Sequence, residues 1–425
     1  MSTDGEAREL PGRLPVASAR ERVLAGVEPL DPVRVPLALA TGLVTAEAVL
    51  TPTDVPPFDA SAMDGFAVRA ADCPQHRGTD AGEAAPRPGE AEARLELVGE
   101  SSAGRPWTGT LAPGGAVSIS TGAEVPQGAD AVVMVEDVAR HDGFVLVGVP
   151  AATGQNIRRR GEARQAGSEV LPAGSRIGPV ELGLLASTGT DPVLCHPRPT
   201  VAVISTGDEL VDPGTGRGPG QIWNSNLPVI SAMARAAGGE LVSSVTIGDS
   251  KDETEAALEA ALACDVAVIC GGVSVGDHDH VKGTLTALGV ERHFWGLAMK
   301  PGRPAWFGSR GSSRVLGLPG NPVSAMAVFA ILGVPLLKAL AGDSSAGEVF
   351  RGRLLSPVRQ LPDRLLAVPC RLDRQSVELG LEPIATKGSH DFISLAGARA
   401  LALIEPGTGN FAAGTEVAVI ALEAE

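Results

Sequence analysis

Between Pro199 and Gly342, short apolar runs alternate with segments whose apolar positions recur every three or four residues. Thr200–Ser205 is a β-branched run, Leu241–Ile247 and Arg292–Ala298 read as strands, and Asp265–Cys270 as a buried strand. Leu227–Ala237, Lys251–Ala263, Val281–Leu288 and Pro322–Leu340 read as helices. Strands alternating with helices predict a parallel sheet covered on both faces. The pattern differs on either side. Leu24–Leu50 reads as an Ala/Leu-rich helical stretch interrupted by prolines. Pro52–Val138 reads as short strands, among them Leu95–Gly99, Ala116–Ser120 and Ala131–Val135, separated by Gly/Pro turns. Phe144–Gly178 is strand-like again and carries the basic run Arg158-Arg159-Arg160. Gln75–Arg94, polar and rich in Gly, Pro, Ala and Glu, predicts an exposed insertion. After Gly342 strand-like alternation returns up to Glu425, which predicts a separate β domain. The chain has no internal repeat.

At 425 residues the chain is long enough for two to four domains. A net charge of −15 argues against sequence-independent binding of nucleic acid, which needs Lys and Arg to neutralise phosphates. Aromatics make up 3% and Tyr is absent, so few rings are available to stack on bases. Ala256–Val275 contains Glu259 and Asp265, and Met326–Leu337 is a dozen residues before Lys338. Both fall short of the ~20 uninterrupted apolar residues of a membrane span. Met1–Pro15 lacks an apolar signal-like stretch, so no membrane association and a cytoplasmic location are expected. The five cysteines include no CxxC pair, which speaks against a disulfide framework or a structural zinc site.

Ligands of such α/β sheets bind beyond the carboxyl ends of the strands, and there the chain places unusual loops. Thr206-Gly207-Asp208-Glu209 follows the first strand, and Gly271-Gly272-Val273-Ser274-Val275-Gly276-Asp277-His278-Asp279 follows the buried one. Met299-Lys300-Pro301-Gly302-Arg303-Pro304 and Gly317-Leu318-Pro319-Gly320-Asn321-Pro322 complete the set. Glycines let amide N–H groups approach an anion, and carboxylates beside that anion need a cation between them. Asn321 as N-cap with Pro322 at the first helical position aims a helix start at the same place. Lys300 and Arg303 would jointly hold a tetrahedral oxyanion. Together the loops describe a site for a phosphorylated ligand with a divalent metal, Mg²⁺. Lys282 adds a further cation.

Other motifs compete with this reading. Gly272–Gly276 matches G-x-S-x-G, the nucleophile elbow of serine hydrolases, but Asp277-His278-Asp279-His280 intervenes before the next helix. His278 and His280 read as metal ligands or as packing residues. Gly407–Ala412 fits G-x-G-x-x-A without the helix a dinucleotide site requires. In the amino-terminal half, Phe58–Val68 sets Asp59 and Asp64 five apart in a turn of small residues. Glu136-Asp137 ends a strand, and Glu181 begins an apolar helix.

Phe58–Val68, Ser205–Leu210, Gly271–Lys282, Met299–Pro304 and Gly317–Ser324, in this order, resemble the motifs of the MoeA-type molybdopterin molybdotransferase family, to which the carboxy-terminal part of gephyrin belongs. Lys387-Gly388-Ser389-His390 and Ser394–Pro406 resemble its last domain. The resemblance runs from about Pro11 to Ile420. It implies a doubly wound α/β molybdopterin-binding domain (residues 11–25 and 176–342) and two mainly β amino-terminal subdomains (26–50 with 140–175, and 51–139). It also implies a β-barrel-like carboxy-terminal domain (343–425).

The implied protein is a homodimer whose cleft lies between one subunit's α/β domain and the other's β domain. Its implied substrates are adenylylated molybdopterin and molybdate, with Mg²⁺-dependent release of AMP, and an upstream adenylyltransferase is an implied partner. By motif match Asp59, Asp64, Asp137, Glu181, Asp277 and Lys282 would be catalytic. Ser61, Thr206, Gly207, Asp208, Glu209, Asn224, Ser225, Asn226, Asp249, Gly271, Gly272, Val273, Ser274, Gly276, Asp279, Pro319, Gly320 and Asn321 would bind the pterin nucleotide. Lys300, Pro301, Arg303, Pro304, Ser324 and Ser389 would approach molybdate, and Asp208, Asp277 and Asp279 the metal. Phe66 stands where Tyr is common and Arg303 where Lys is usual. Arg364 and Arg371 both answer to an arginine expected in the last domain. The alternatives are a molybdopterin adenylyltransferase, which shares two of the loops but needs neither the Asp59–Asp64 segment nor the last domain, and a non-catalytic molybdopterin-binding scaffold.

Overall fold

The computed structural model describes residues 12–75, 92–273, 280–373 and 379–422. The chain divides into two compact units, one of residues 1–47, 173–179 and 192–425, the other of residues 48–172 and 180–191.

The larger unit is built on a six-stranded sheet. Its strands are β1 (Thr200–Thr206), β2 (Glu240–Ile247), β3 (Val266–Cys270), β4 (Glu291–Trp295), β5 (Trp306–Arg310) and β6 (Ser313–Leu318), in the order β2-β1-β3-β6-β5-β4. The pairs β1–β2, β1–β3 and β3–β6 are parallel, whereas β5 runs antiparallel to both β6 and β4. The sheet is therefore mixed, which corrects the expected all-parallel sheet. A hairpin at Gly311-Ser312 inserts the reversed strand β5, and β4 regains the common direction. Every residue of β3 is buried, as in a strand covered on both faces.

Helices α1 (Asn226–Ala236), α2 (Lys251–Ala261) and α3 (Val281–Ala287) cover the sheet. In α2 the buried residues Thr254, Leu258 and Ala261 fall on one face, and the Ser250 hydroxyl accepts from the Glu253 amide to cap its start. The long helical segment runs from Pro322 to Leu340 through a π-turn at Phe329–Gly333. Its 19 residues are long and apolar enough to cross a membrane, where Met326–Leu337 alone was too short, yet 83% of the apolar window is buried inside the fold. It is the core helix of the unit.

The carboxy-terminal strands β7 (Phe350–Leu354), β8 (Leu365–Asp373), β9 (Gly380–Pro383), β10 (Ala400–Ile404) and β11 (Glu416–Ala421) close into a five-stranded barrel in the order β8-β9-β7-β11-β10-β8. Closure leaves no open sheet edge. The short strand Met299–Lys300 adds to β8 in parallel register, Lys300 opposite Leu366.

The smaller unit holds a second six-stranded sheet, with Gly65–Val68 between Ala131–Met134 and Gly115–Ile119 and the strand Ala93–Ser101 beyond. Leu24–Leu50 is not the helical stretch its composition suggests. The helix is Val16–Leu24, and after it come the short strands Val33–Val35, Val44–Thr45 and Val49–Leu50 with one 3-10 turn. Pro29, Pro32 and Pro36 block helical hydrogen bonding there. Ala93 and Arg94 lie inside a strand rather than in the insertion, of which residues 76–91 are outside the described residues.

Candidate active site

Because β1, β2, β3, β4 and β6 share a direction, their carboxyl ends lie along one edge of the sheet, and the segments leaving that edge are the glycine-rich loops. After β1, Gly207 has φ +146°, and a Cβ there would lie 2.5 Å from the Glu209 carboxylate. The exposed Asp208 turns to the neighbouring loop after β2, where its Oδ1 accepts from the Asp249 amide at 3.0 Å. A side chain at Gly248 would strike that oxygen at 2.8 Å. Asp208 and Asp249 are thus brought together.

After β3, Gly271 and Gly272 take φ of +93° and +65° in succession, a backbone that only glycine adopts without strain. A Cβ on Gly271 would meet Thr206 at 3.0 Å, and one on Gly272 would strike Val281 at 2.3 Å. Thr206 therefore packs directly against this turn. Val273 is buried and its carbonyl accepts from the Trp295 indole at 2.8 Å. Ser274, Gly276, Asp277, His278 and Asp279 lie outside the described residues. Lys282, in the first turn of α3, holds its ammonium 4.0 Å from the centre of the Trp295 ring. Trp295 went unnoticed in the sequence, where it reads as one apolar position of a strand.

The motif Asn224-Ser225-Asn226 leads into α1. Asn224 is almost wholly buried and its carboxamide is spent inside the fold, accepting from Leu227 N and Ser205 Oγ and donating to Thr246 Oγ1. That bonding makes it a cross-link between β1, β2 and α1. Asn226 donates to the Gly320 carbonyl at 2.6 Å, while its own Oδ1 is buried with no hydrogen-bond partner. Ser225 precedes α1 without capping it.

The loop after β6 carries Pro319, Gly320 and Asn321. Asn321 occupies the N-cap position and Pro322 follows, yet the Asn321 side chain makes no capping bond. It donates instead to Ser389 Oγ at 2.9 Å, and the Ser389 carbonyl accepts from Val323 N at 3.1 Å. The barrel-side loop at Ser389 thus closes on the start of the core helix. Gly302 packs on the same helix: with φ +115°, a Cβ there would lie 2.5 Å from Met299 and 2.6 Å from Val328. Ser324 is buried in the first turn, its carbonyl 3.8 Å from that position. Lys300 is exposed, whereas Pro301, Arg303 and Pro304 are half-buried, and the Arg303 carbonyl accepts from Leu297 N. Of the two candidate arginines of the last domain, Arg364 makes two bonds to Asp363 and Arg371 donates to the Ala396 carbonyl.

The acidic residues of the smaller unit are held separately. Asp59 accepts from the Arg160 amide at 2.8 Å and from the Arg159 guanidinium at 2.6 Å. The Arg160 amide, with the Arg159 guanidinium, outweighs partial desolvation and holds its carboxyl below the usual range. Asp59 is therefore a standing anion at neutral pH rather than a proton donor. Asp64 Oδ1 accepts from Thr121 N at 2.7 Å, and Gly65 beside it is obligatory, since a Cβ would lie 1.9 Å from the Val133 carbonyl. Ser61 donates to the Met63 carbonyl at 2.6 Å. Asp137 is exposed at the end of the 3-10 turn Val135–Asp137, and Glu181 sits in the first turn of the helix Pro179–Ser187. Among the described residues no group of three His, Cys, Asp or Glu side chains is placed to hold a metal ion.

Comparison with known proteins agrees with this architecture. Three family models match in sequence: the MoeA N-terminal region (domain I and II) over residues 14–189, the probable molybdopterin binding domain over 202–339, and the MoeA C-terminal region (domain IV) over 351–422. The chain is 34% identical to the molybdopterin molybdenumtransferase of Haemophilus influenzae over 89% of this chain and 91% of that one. It is 33% identical to molybdopterin molybdenumtransferase 1 of Mycobacterium tuberculosis over 95% and 98%. The crystal structure of a molybdopterin biosynthesis MoeA protein from Pyrococcus horikoshii superposes with a TM-score of 0.80 at 31% identity, covering 97% of this chain and all of that one. With all three regions present in order and both relatives matched nearly end to end, the chain belongs to the MoeA family of molybdopterin molybdenumtransferases, proteins of molybdenum cofactor biosynthesis.

Proposed function

We propose that this chain inserts molybdenum from molybdate into adenylylated molybdopterin at the dithiolene, with release of AMP. One observation carries the reading: Thr206–Glu209, Gly271–Gly272, Lys300–Pro304 and Pro319–Asn321 all leave the same carboxyl edge of one sheet. The Gly271 amide donates to the Leu318 carbonyl, so within the left-handed pair it is the Gly272 amide that suits a phosphate. Lys300 and Arg303, on the loop that Gly302 presses against the core helix, suit the tetrahedral dianion molybdate. Ser324 and Ser389, at the start of that helix, complete the oxyanion side of the reading. Asp59, held ionised, suits a binding role in which its charge does not change, and Asp64 is fixed beside it in sequence by the Thr121 amide.

Magnesium belongs to the proposal through Asp208, Asp277 and Asp279. Asp208 is the described member, exposed and with one oxygen engaged by an amide; the other two complete the donor set in sequence only. When bound, Mg²⁺ would neutralise phosphate charge and polarise the phosphorus toward water. Cleavage of the phosphoanhydride by water then needs no covalent nucleophile. A homodimeric cleft, delivery of substrate by an adenylyltransferase and a cytoplasmic location complete the reading.

The test is an assay of purified protein with adenylylated molybdopterin, molybdate and Mg²⁺. AMP and active cofactor are expected together, and Asp277→Asn should abolish both. Formation of adenylylated molybdopterin from ATP instead would make the chain an adenylyltransferase. Tight binding without turnover would make it a scaffold.

A further inference from the structure

We propose that Trp295 is a positioning residue that ties together the two ends of the loop between β3 and α3 and sets the ammonium of Lys282. The inference rests on the proposed function in that Lys282 is there assigned to the reaction. The last residue of β4, Trp295, is 8% exposed, and its indole makes two polar contacts of different kinds. Its Nε1–H donates 2.8 Å to the carbonyl of Val273, the last described residue before the loop. Its ring face lies 4.0 Å from the Nζ of Lys282, just after the loop. The remaining neighbours make the arrangement rigid. Val273 is 1% exposed, and a side chain on Gly317 of β6 would strike it at 2.5 Å. Val281 occupies the space a side chain on Gly272 would need. Backbone on one side of the loop and a cation on the other are thus referred to a single aromatic ring in a neighbouring strand.

The chemistry explains why Trp stands here. A buried carbonyl needs a donor, and the face of an aromatic ring attracts an ammonium. Phe supplies the face without the donor, and Leu supplies neither. The two contacts are therefore separable by substitution.

Trp295→Phe and Trp295→Leu are compared with the intact chain, with Lys282→Met alone and with Lys282→Met combined with Trp295→Leu. Far-UV circular dichroism establishes that each is folded. The first readout is the rate at which an amine-acylating reagent modifies Lys282, followed by peptide mass spectrometry. Loss of the ring in Trp295→Leu should speed it about three- to tenfold, the scale of a cation–π contact, and Trp295→Phe should leave it near the intact value. The second is AMP release: Trp295→Leu and Lys282→Met should each lower kcat, and combining them should cost no more than Lys282→Met alone. Trp295→Phe should raise KM with kcat nearly unchanged. Equal acylation rates in the Leu variant and the intact chain would overturn the proposal, as would kinetic losses that multiply in the double variant. A fully active Lys282→Met would instead remove Lys282 from the reaction, while the acylation rates still decided whether Trp295 holds it.

Discussion

Asp59 and the buried thiols show how individual environments decide what a titratable group can do. The Arg160 amide and the Arg159 guanidinium hold Asp59 ionised in a partly exposed position, where such a pair adds little to stability. Asp59→Asn should therefore melt within a few degrees of the intact chain while AMP release falls about a hundredfold, the scale of losing one oriented electrostatic contact. Parallel thermal melts and turnover measurements check this; wild-type turnover would remove Asp59 from the site. The cysteines lie at the opposite extreme. Burial pushes Cys270 up to about 12 from 9.0, and Cys73, Cys195 and Cys370 to about 11. In the native state these thiols should resist iodoacetamide at pH 7.5 and react only on unfolding. Folding keeps each proton where the unfolded chain would release it. Their contribution to stability is therefore complete below pH 9 and is lost as pH rises toward 11–12. Urea midpoints should decline over that window, and a flat profile would show that the thiols are not buried as described.

Elements divide into those whose pattern is self-sufficient and those set by their surroundings. β3 and α2 were legible because a continuous apolar run and a capped 3.6-residue period each admit few alternatives. The hairpin β5–β6 was missed as a pair: the polar turn Ser309–Arg314 separates two short apolar runs, and nothing local says that β5 reverses direction. Leu24–Leu50 failed for another reason, since its Ala and Leu content favours helix while three prolines deny the hydrogen bonds. At the site, the glycine loops were readable as motifs, but the roles of Asn224, Asn321 and Trp295 were not. Their hydrogen bonds reach residues between 3 and 68 positions away, and a polar side chain looks the same in sequence whether it faces a ligand or a backbone carbonyl. Gly302 gives a test at this scale. Gly302→Ala places a methyl group against Met299 and Val328 at a positive φ, an overpacking that costs about 1–3 kcal/mol. Lys300 and Arg303 must shift with it, so molybdate affinity should fall in equilibrium dialysis even where the variant remains folded. Unchanged stability and affinity together would mean that the loop is not fixed by this contact.

For the molecule as a whole, the carboxy-terminal strands, expected to form a domain of their own from residue 343, also share a core with the sheet of the larger unit. One buried cluster joins Val201, Val203, Val266 and Val268 of the sheet, Val323–Leu332 of the core helix, and Leu365, Ala367, Leu401, Leu403 and Ile420 of the barrel strands and their edges. The backbone continues the connection, since Met299–Lys300 adds to β8 and Leu365 N donates to the Ala298 carbonyl. A barrel also has its own interior, lined by Leu354, Cys370, Leu381, Ala402 and Val419. The two parts therefore should not respond alike to truncation. Ending the chain at Gly342 would expose the barrel-facing side of the helix Pro322–Leu340, a segment almost entirely apolar, to water. The truncated protein should lose near-UV circular dichroism, bind a hydrophobic dye and aggregate. A fragment starting at residue 346 should retain β structure because its strands close on themselves. A soluble, cooperatively melting 1–342 fragment would show that the shared cluster contributes little. Failure of that fragment with survival of the barrel would place the dependence in one direction, from the sheet and its core helix onto the barrel, and would explain why the loops at Lys300 and Ser389 are presented by both.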